Sequence, residues 1–353
     1  MRLRGIIVAI LLSLPANAIA QPAEAPVGAT EEPRWSLPAD GSVLSYSPGR
    51  GLRIVPARLT LGGYGNVEAR RDEGGAFHFD LAELSSFVTF TPHPRVHLFS
   101  ELELDDLIVL GTDGDNGSDA DLRVERLYGD LAVSDSITLR FGKFLTPVGR
   151  WNVIHAPPLV WTTDRPLTTE TAFDQHVTGL MSLGRLFPQI GIVTYQLYGQ
   201  FLDQFEPVPQ RHTADRQAGI RLELDHAPWS VGSSYLAHHE DGGWQHLGGI
   251  DGEWTADRFE VLSEAIVNGE VGVGPIEWGA FVQTAVRVVG PFHAIARYEH
   301  FNAGTDGPTV NLVDLGVAYR PAFYLTLKLE YLIADHFNDL APPGASASLA
   351  VLF

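Results

Sequence analysis

From Gln21 to the end of this 353-residue chain no run of about 18 apolar residues occurs, although apolar residues make up 45% of the composition. A helix needs about 20 consecutive apolar residues to cross a bilayer, so a helical membrane protein is excluded. The apolar residues instead come in short pieces that alternate with polar ones, the mark of strands with two unlike faces. Phe323, Leu325, Leu327, Leu329, Tyr331 and Ile333 fall on one face; Tyr324, Thr326, Lys328, Glu330 and Leu332 fall on the other. Val96, Leu98, Leu102 and Leu104 oppose His97, Glu101, Glu103 and Asp105 in the same way. So do Ala218, Ile220, Leu222 and Leu224 against Gln217, Arg221, Glu223 and Asp225, and Ile276, Trp278, Ala280, Val282, Val286 and Val288 against Glu277, Gln283 and Arg287. A sandwich would bury apolar residues on the inner face, whereas these inner faces are ionised and suit a wet lumen.

Turn signals add a second regularity. Tight turns recur at Pro92-His93-Pro94, Ser134-Asp135-Ser136, His226-Ala227-Pro228, Thr255-Ala256-Asp257, Val289-Gly290-Pro291 and Arg320-Pro321-Ala322. Between them lie longer polar connections near 105–120, 147–175, 203–215, 302–308 and 335–344, with shorter ones at 70–76, 240–243 and 270–274. Short turns on one rim and longer loops on the other are the asymmetry of an outer-membrane barrel, and the strands between them number about sixteen. Two segments, 77–91 and 121–133, break the alternation once each, as β-bulges would. The expected fold is therefore all-β: a transmembrane antiparallel β-barrel of about 16 strands, with short periplasmic turns and longer extracellular loops.

The N-terminus fits export. Met1-Arg2-Leu3-Arg4 is basic, an apolar run follows to Pro15, and Ala16-Asn17-Ala18-Ile19-Ala20 offers a small-residue cleavage site. Residues 1–20 read as a signal peptide and 21–56 as a periplasmic leader, partly disordered. Residues 57–353 read as one barrel domain. No cysteine is present, so no disulfide braces the chain. The chain has 24 basic against 43 acidic residues, and 22 against 43 once Arg2 and Arg4 are removed. So acidic a surface argues against nucleic acid as a partner.

The last residues, Ala345 to Phe353, alternate and end on an aromatic. This ending resembles the C-terminal targeting strand of bacterial outer-membrane proteins, which implies Phe353 as an assembly signal read by the barrel assembly machinery. The segment Arg140-Phe141-Gly142-Lys143-Phe144-Leu145-Thr146-Pro147-Val148-Gly149-Arg150-Trp151-Asn152 resembles a piece of the phosphate-selective porin O and P group. There a strand ending in Gly-Lys/Arg-Phe runs into a Pro-x-Gly turn. The likeness is local and supports a porin better than a phosphate channel, because those porins line their channels with Arg and Lys and this chain has no basic cluster. It implies a homotrimer in the outer membrane of a Gram-negative bacterium, meeting lipid and lipopolysaccharide outside and small hydrophilic solutes inside.

The connection 147–175 is the third long-side loop and exceeds what a connector needs. In porins of this layout the third loop folds inward, which here makes Arg150, His155, Asp164, Arg165, Glu170 and Asp174 the candidates for a pore constriction. Trp151 and Trp161 are placed to pack the loop on the wall. Charges of both signs across an aperture restrict passage by size and charge. Candidate lumen-wall residues are Glu101, Glu103, Arg123, Arg140, Arg221, Glu223, Arg287 and Arg297, with Glu125, Glu277 and Glu299 among them; cross-strand ion pairing is the plainer role for many.

Other readings are weaker. The loop Asp113 to Asp121 departs from the EF-hand pattern and reads as a solvated acidic tip. His238, His239, Glu240, Asp241 and His246 lack tight metal-ligand spacing. No Gly-x-Ser-x-Gly elbow supports a hydrolase. Gly62-Gly63-Tyr64-Gly65 lies inside a strand pattern and reads as relief of crowding at a bend. The expectation is a passive diffusion pore, not an enzyme, with no cofactor and no metal. A non-conducting barrel for surface binding or adhesion and a soluble exported all-β protein stand as alternatives.

Overall fold

The computed structural model describes residues 43–112, 116–118, 120–205, 213–240, 243–270, 277–304, 307–335 and 342–353. The signal-peptide reading and residues 113–115 and 119 of the acidic tip Asp113 to Asp121 lie outside these residues.

Every alternating segment forms a strand. After a short hairpin, β1 (Leu44–Ser47) and β2 (Gly51–Ile54), come β3 (Leu59–Asp72), β4 (Phe77–His93) and β5 (Val96–Gly111). The two-residue β6 (Asn116–Gly117) precedes β7 (Asp121–Ser134), β8 (Ile137–Leu145), β9 (His176–Leu186), β10 (Ile192–Gln200), β11 (Arg216–His226) and β12 (Trp229–Glu240). The remainder are β13 (Gly243–Thr255), β14 (Phe259–Gly269), β15 (Glu277–Val289), β16 (Phe292–Asn302), β17 (Thr309–Ala322), β18 (Leu325–Ala334) and β19 (Gly344–Leu352). Apart from β1, β2 and β6, each strand pairs antiparallel with its sequence neighbours. The last then pairs with the first, Gly344 opposite Asp72 through Leu352 opposite Tyr64. The sheet is thus a closed barrel of sixteen strands, and the two-layered sandwich is set aside.

Alternation places the apolar side chains outside. Leu98, Leu102, Ile220, Leu222, Leu327 and Leu329 are exposed, while Glu101, Glu103, Arg221, Glu223, Lys328 and Glu330 between them are buried inside. Aromatic residues ring both ends of this belt: Trp229, Trp254, Phe292 and Phe353 by the tight turns, Phe77, Trp244 and Trp278 by the long loops. Trp244 and Trp254 stand near opposite ends of β13. A rise of about 3.3 Å per residue and a tilt of about 40° separate them by about 25 Å along the barrel axis, the height of an outer-membrane apolar band. Among the described residues no helix is long and apolar enough to cross a membrane.

Both expected parity breaks are bulges. The β3–β4 register shifts opposite Asn66/Glu68, and on β7 Glu125 is the extra residue between the pairs Glu101–Arg126 and Leu102–Val124. Glu125 and Arg126 are consequently both buried inside.

Two features differ from the sequence reading. The hairpin β1–β2 falls within the stretch assigned to the leader and pairs Leu52 with Leu61 and Ile54 with Leu59. Two four-residue strands are too short to set up a readable period. A seventh tight connection, Phe187 to Gly191, joins β9 to β10; Phe187 and Ile190 flank Pro188 and disguise it as an apolar run. At the seam Gly63 and Phe353 exchange backbone hydrogen bonds of 3.0 and 2.9 Å. A Cβ on Gly63 would meet the Ser85 carbonyl at 2.1 Å and the Phe353 ring at 2.9 Å, so glycine is required there by close approach.

Leu329, near the middle of β18 and 63% exposed, tests the lipid-facing assignment. Leu329→Arg is expected to destabilise the barrel by about 2–4 kcal/mol in denaturant unfolding from lipid vesicles. Unchanged stability would show that this face does not meet hydrocarbon.

Candidate functional site: the segment inside the barrel

The connection between β8 and β9 closes on itself at a hydrogen-bonded neck. Thr146 N–H donates to the Gln175 carbonyl at 2.8 Å, Thr146 Oγ1 to the Asp174 carbonyl at 2.6 Å, and Asn152 Nδ2 to the Thr146 carbonyl at 2.9 Å. Beyond the neck lie two single-turn helices, α1 (Trp151–Ile154) and α2 (Leu167–Glu170). Both run along the inner wall.

The segment first meets β11 to β14. Gly149, at φ +64°, turns the chain toward β14, and a Cβ there would strike the Glu264 carboxylate at 2.2 Å. Glu264 accepts the backbone N–H groups of Arg150 and Trp151, both at 2.6 Å. The Arg150 side chain donates to Ser230 at 2.6 Å and lies 3.4, 3.5 and 3.1 Å from Glu223, Asp251 and Glu253. Next come β17 to β19. Arg320 donates to the Val160 carbonyl at 2.6 Å, Thr326 to the Pro158 carbonyl at 3.0 Å, and Lys328 to the Thr162 carbonyl at 2.8 Å. Thr163 N–H donates to Glu330 at 2.9 Å, and the Asp164 carboxylate pairs with Arg70 on β3. The return leg lies on β16 and β14, with Thr168 N–H to Glu299 at 3.0 Å and Asn268 Nδ2 to the Ala172 carbonyl at 3.1 Å. Trp151 packs with Val160 and Phe281, and Trp161 with Ala285, Ile295 and Ala318 under the Arg320 guanidinium at 3.6 Å. The packing role expected of the two tryptophans is realised.

The six proposed constriction residues separate by position. Arg150 is 2% exposed and bound to the wall. Asp164 joins Arg70, and its carbonyl accepts from Arg297 at 2.7 Å. Asp174 braces the neck, accepting from His176 N–H at 3.1 Å, Ala214 N–H at 3.1 Å and Gln204 Nε2 at 2.5 Å. Arg165 and Glu170 lie 3.3 Å apart with side chains 25% and 35% exposed, the most open charges of the six. His155 points at the β5–β7 wall, 4.0 Å from Glu125. Burial, with the Arg126 charge next in weight, holds its pKa down to about 3, so the ring is neutral.

Wall residues fall mainly where alternation put them. Arg221 donates to Asp251 at 2.5 and 2.9 Å and to Glu223 at 2.8 Å. Arg140 pairs with Asp130 at 2.8 Å over the Tyr128 ring. Arg123 pairs with Glu103 and Asp105, Glu101 with Arg126, and Arg297 lies 3.9 Å from Asp314. Glu125 accepts from or donates to His176 Nε2 at 2.8 Å according to tautomer and protonation. Glu277 and Glu299 are buried on the inner face. Arg287 is the correction. It has inward parity but lies at the turn rim, exposed, donating to the Asp257 carbonyl at 2.5 Å, because β15 ends two residues later. Many inner charges are paired and buried, beside an apolar cluster that includes Leu167, Phe173, Tyr64 and Phe99. Reading alternation alone passed over Arg70, Arg126, Asp251 and Glu264; for Arg126 the bulge itself hides the signal, because it reverses parity.

Comparison with known proteins agrees with this architecture. OmpF of Salmonella typhi superposes with a TM-score of 0.61 at 11% identity, covering 84% of this chain and 97% of that one. OmpT of Vibrio cholerae gives 0.58 at 13% over 84% and 98%, and an anion-selective porin of Comamonas acidovorans 0.58 at 13% over 83% and 98%. At such identities the likeness is one of fold: a porin-type outer-membrane barrel. No protein-family profile matches the chain. A stretch of 131 residues, 35% of the chain, is 29% identical to an uncharacterized protein of Aquifex aeolicus (strain VF5) and spans 29% of that protein's length.

Glu264→Ala removes the acceptor of two buried amides. Amide exchange at Arg150 and Trp151 is expected to quicken about tenfold or more, as the loss of one or two charge-assisted bonds implies. Unchanged exchange would show that Glu264 does not hold the segment.

Proposed function

We propose that the protein is an outer-membrane porin, a passive path for small hydrophilic solutes or ions, narrowed by the segment 146–175. The observation that carries this reading is the course of that segment, pinned along β11 to β19 and β3 with His155 reaching the β5–β7 wall. The charges left partly open there include Arg165 and Glu170 on the segment and Arg70, Arg123, Asp105 and Glu253 on the wall, 17–35% exposed. Asp164 belongs to the same aperture, with Arg150, His155 and Asp174 shaping and bracing it. Glu101, Glu103, Arg140, Arg221, Glu223 and Arg297 set the field along the wall, and the acid excess inclines passage toward cations. Translocation uses no covalent step. The protein reaches the outer membrane after loss of residues 1–20, is inserted by the barrel assembly machinery through the strand ending at Phe353, and assembles as a homotrimer among lipid and lipopolysaccharide. No phosphate selectivity is included, for want of a basic lining.

A non-conducting barrel is the second reading, favoured by one observation: Glu101, Glu299 and Arg297 on the inner wall are at most 2% exposed. Planar-bilayer recording decides. Discrete conductance steps are expected, with a reversal potential under a salt gradient of the sign for cations. Deleting about ten residues around Asp164 is expected to raise conductance roughly twofold or more, since an aperture's resistance is set at its narrowest section. Folded protein silent above the bilayer background would refute passage and leave the closed barrel; a deletion without effect would refute the constriction alone.

A further inference from the structure

The β4–β7 wall carries a dense group of buried acids. Glu83 on β4, Glu101 and Glu103 on β5 and Glu125 on β7 gather around Tyr64, whose hydroxyl donates to Glu83 and lies 3.2 Å from Glu103. Ser85 donates to Glu101 at 2.7 Å, Arg126 pairs with the same carboxylate, Arg123 divides between Glu103 and Asp105, and His176 sits on Glu125. Five carboxylates here face the guanidiniums of Arg123, Arg126 and Arg165, the Lys143 ammonium and the His176 imidazole. Into this acid-rich patch the segment inserts His155. Its side chain is 4% exposed, and neither Nδ1 nor Nε2 has a hydrogen-bond partner. Buried polar atoms in folded proteins are nearly always paired, so two open ring nitrogens call for a ligand. A His155 nitrogen and one oxygen from each of Glu101 and Glu103 lie within 4.8 Å of one another, and all three residues are buried.

We propose that Glu101, Glu103 and His155 bind a divalent first-row transition ion of the zinc class, clasping the inward segment to β5. The donor set points to that class. An imidazole selects zinc-like ions over calcium and magnesium, which take all-oxygen shells, and two carboxylates supply compensating charge. Zinc bonds of about 2.0–2.2 Å place ligand atoms about 3.4 Å apart, so the three groups close by little more than an ångström on binding. Ser85, Arg126 and Tyr64 already orient the carboxylates, as outer partners do in metal sites. Water completes the coordination.

The test titrates zinc chloride into chelator-stripped, detergent-folded protein by calorimetry, with visible absorption of added cobalt(II) as a second readout. Wild type is expected to bind one equivalent that H155A loses and E103Q weakens tenfold or more, each variant keeping its heat-modifiable gel mobility. H238A, whose native ring bonds Asn268 on β14, is expected to bind this equivalent like wild type. A wild type that takes up no zinc, or one matched by both H155A and E103Q, overturns the assignment. Should H155A not fold, E103Q alone decides. Conductance does not enter these readouts, so silent bilayers would refute passage and leave the metal site standing.

Discussion

Closure of the sheet is the constraint on which everything else rests. In hydrocarbon an unpaired N–H or C=O costs several kcal/mol, so a strand exposed to lipid is tolerable only with a neighbour on each side. The pairing of β19 with β3 removes the last two edges, and the short β2 takes over the edge of β3 where β19 ends. Gly63 matters for this reason: it lets the terminal residue approach closely enough to pair. Once the sheet is closed, side-chain parity has only one consequence. Alternate residues meet lipid, and the rest are enclosed.

Enclosure then creates an electrostatic problem that the segment 146–175 answers. Charges placed inside by alternation lose water as the segment covers them, and an uncompensated buried charge is strongly destabilising. Cross-strand pairs such as Arg221 with Asp251 and Arg140 with Asp130 meet part of that need. The segment meets much of the remainder with its backbone. Its amides go to Glu264, Glu299 and Glu330, and its carbonyls to Arg297, Arg320 and Lys328. Neutral peptide groups serve both signs of charge, so an irregular stretch can lie along an ionised wall with few charges of its own.

How much of this the sequence disclosed follows from the range of each signal. Alternation is local, so the faces of β5, β11 and β18 were readable residue by residue, and turn chemistry is local, so all eight long-side connections were placed. Bulges showed as parity breaks, but which residues they turned inward was hidden; Arg126 beside Glu101 is known only from the pairing. The inward course of 146–175 rested on length and resemblance, because a contact such as Thr163 with Glu330 spans 167 positions and leaves no periodic trace. Arg287 shows the limit of parity itself, which gives the face of a strand and not the depth.

Depth also explains why nominally equivalent charges differ. Arg221 and Arg287 both occupy inward positions, yet Arg221 lies mid-strand with three polar partners while Arg287 hangs at a turn on one carbonyl. The first is fixed by geometry that neighbouring strands share; the second is solvated, and screening at ordinary ionic strength reduces its influence beyond about 8–10 Å. A count of inner-face charges therefore overstates the field that a solute would meet. The weight falls instead on charges held at the segment, where Arg165 and Glu170 stand 3.3 Å apart as a pair of opposite sign.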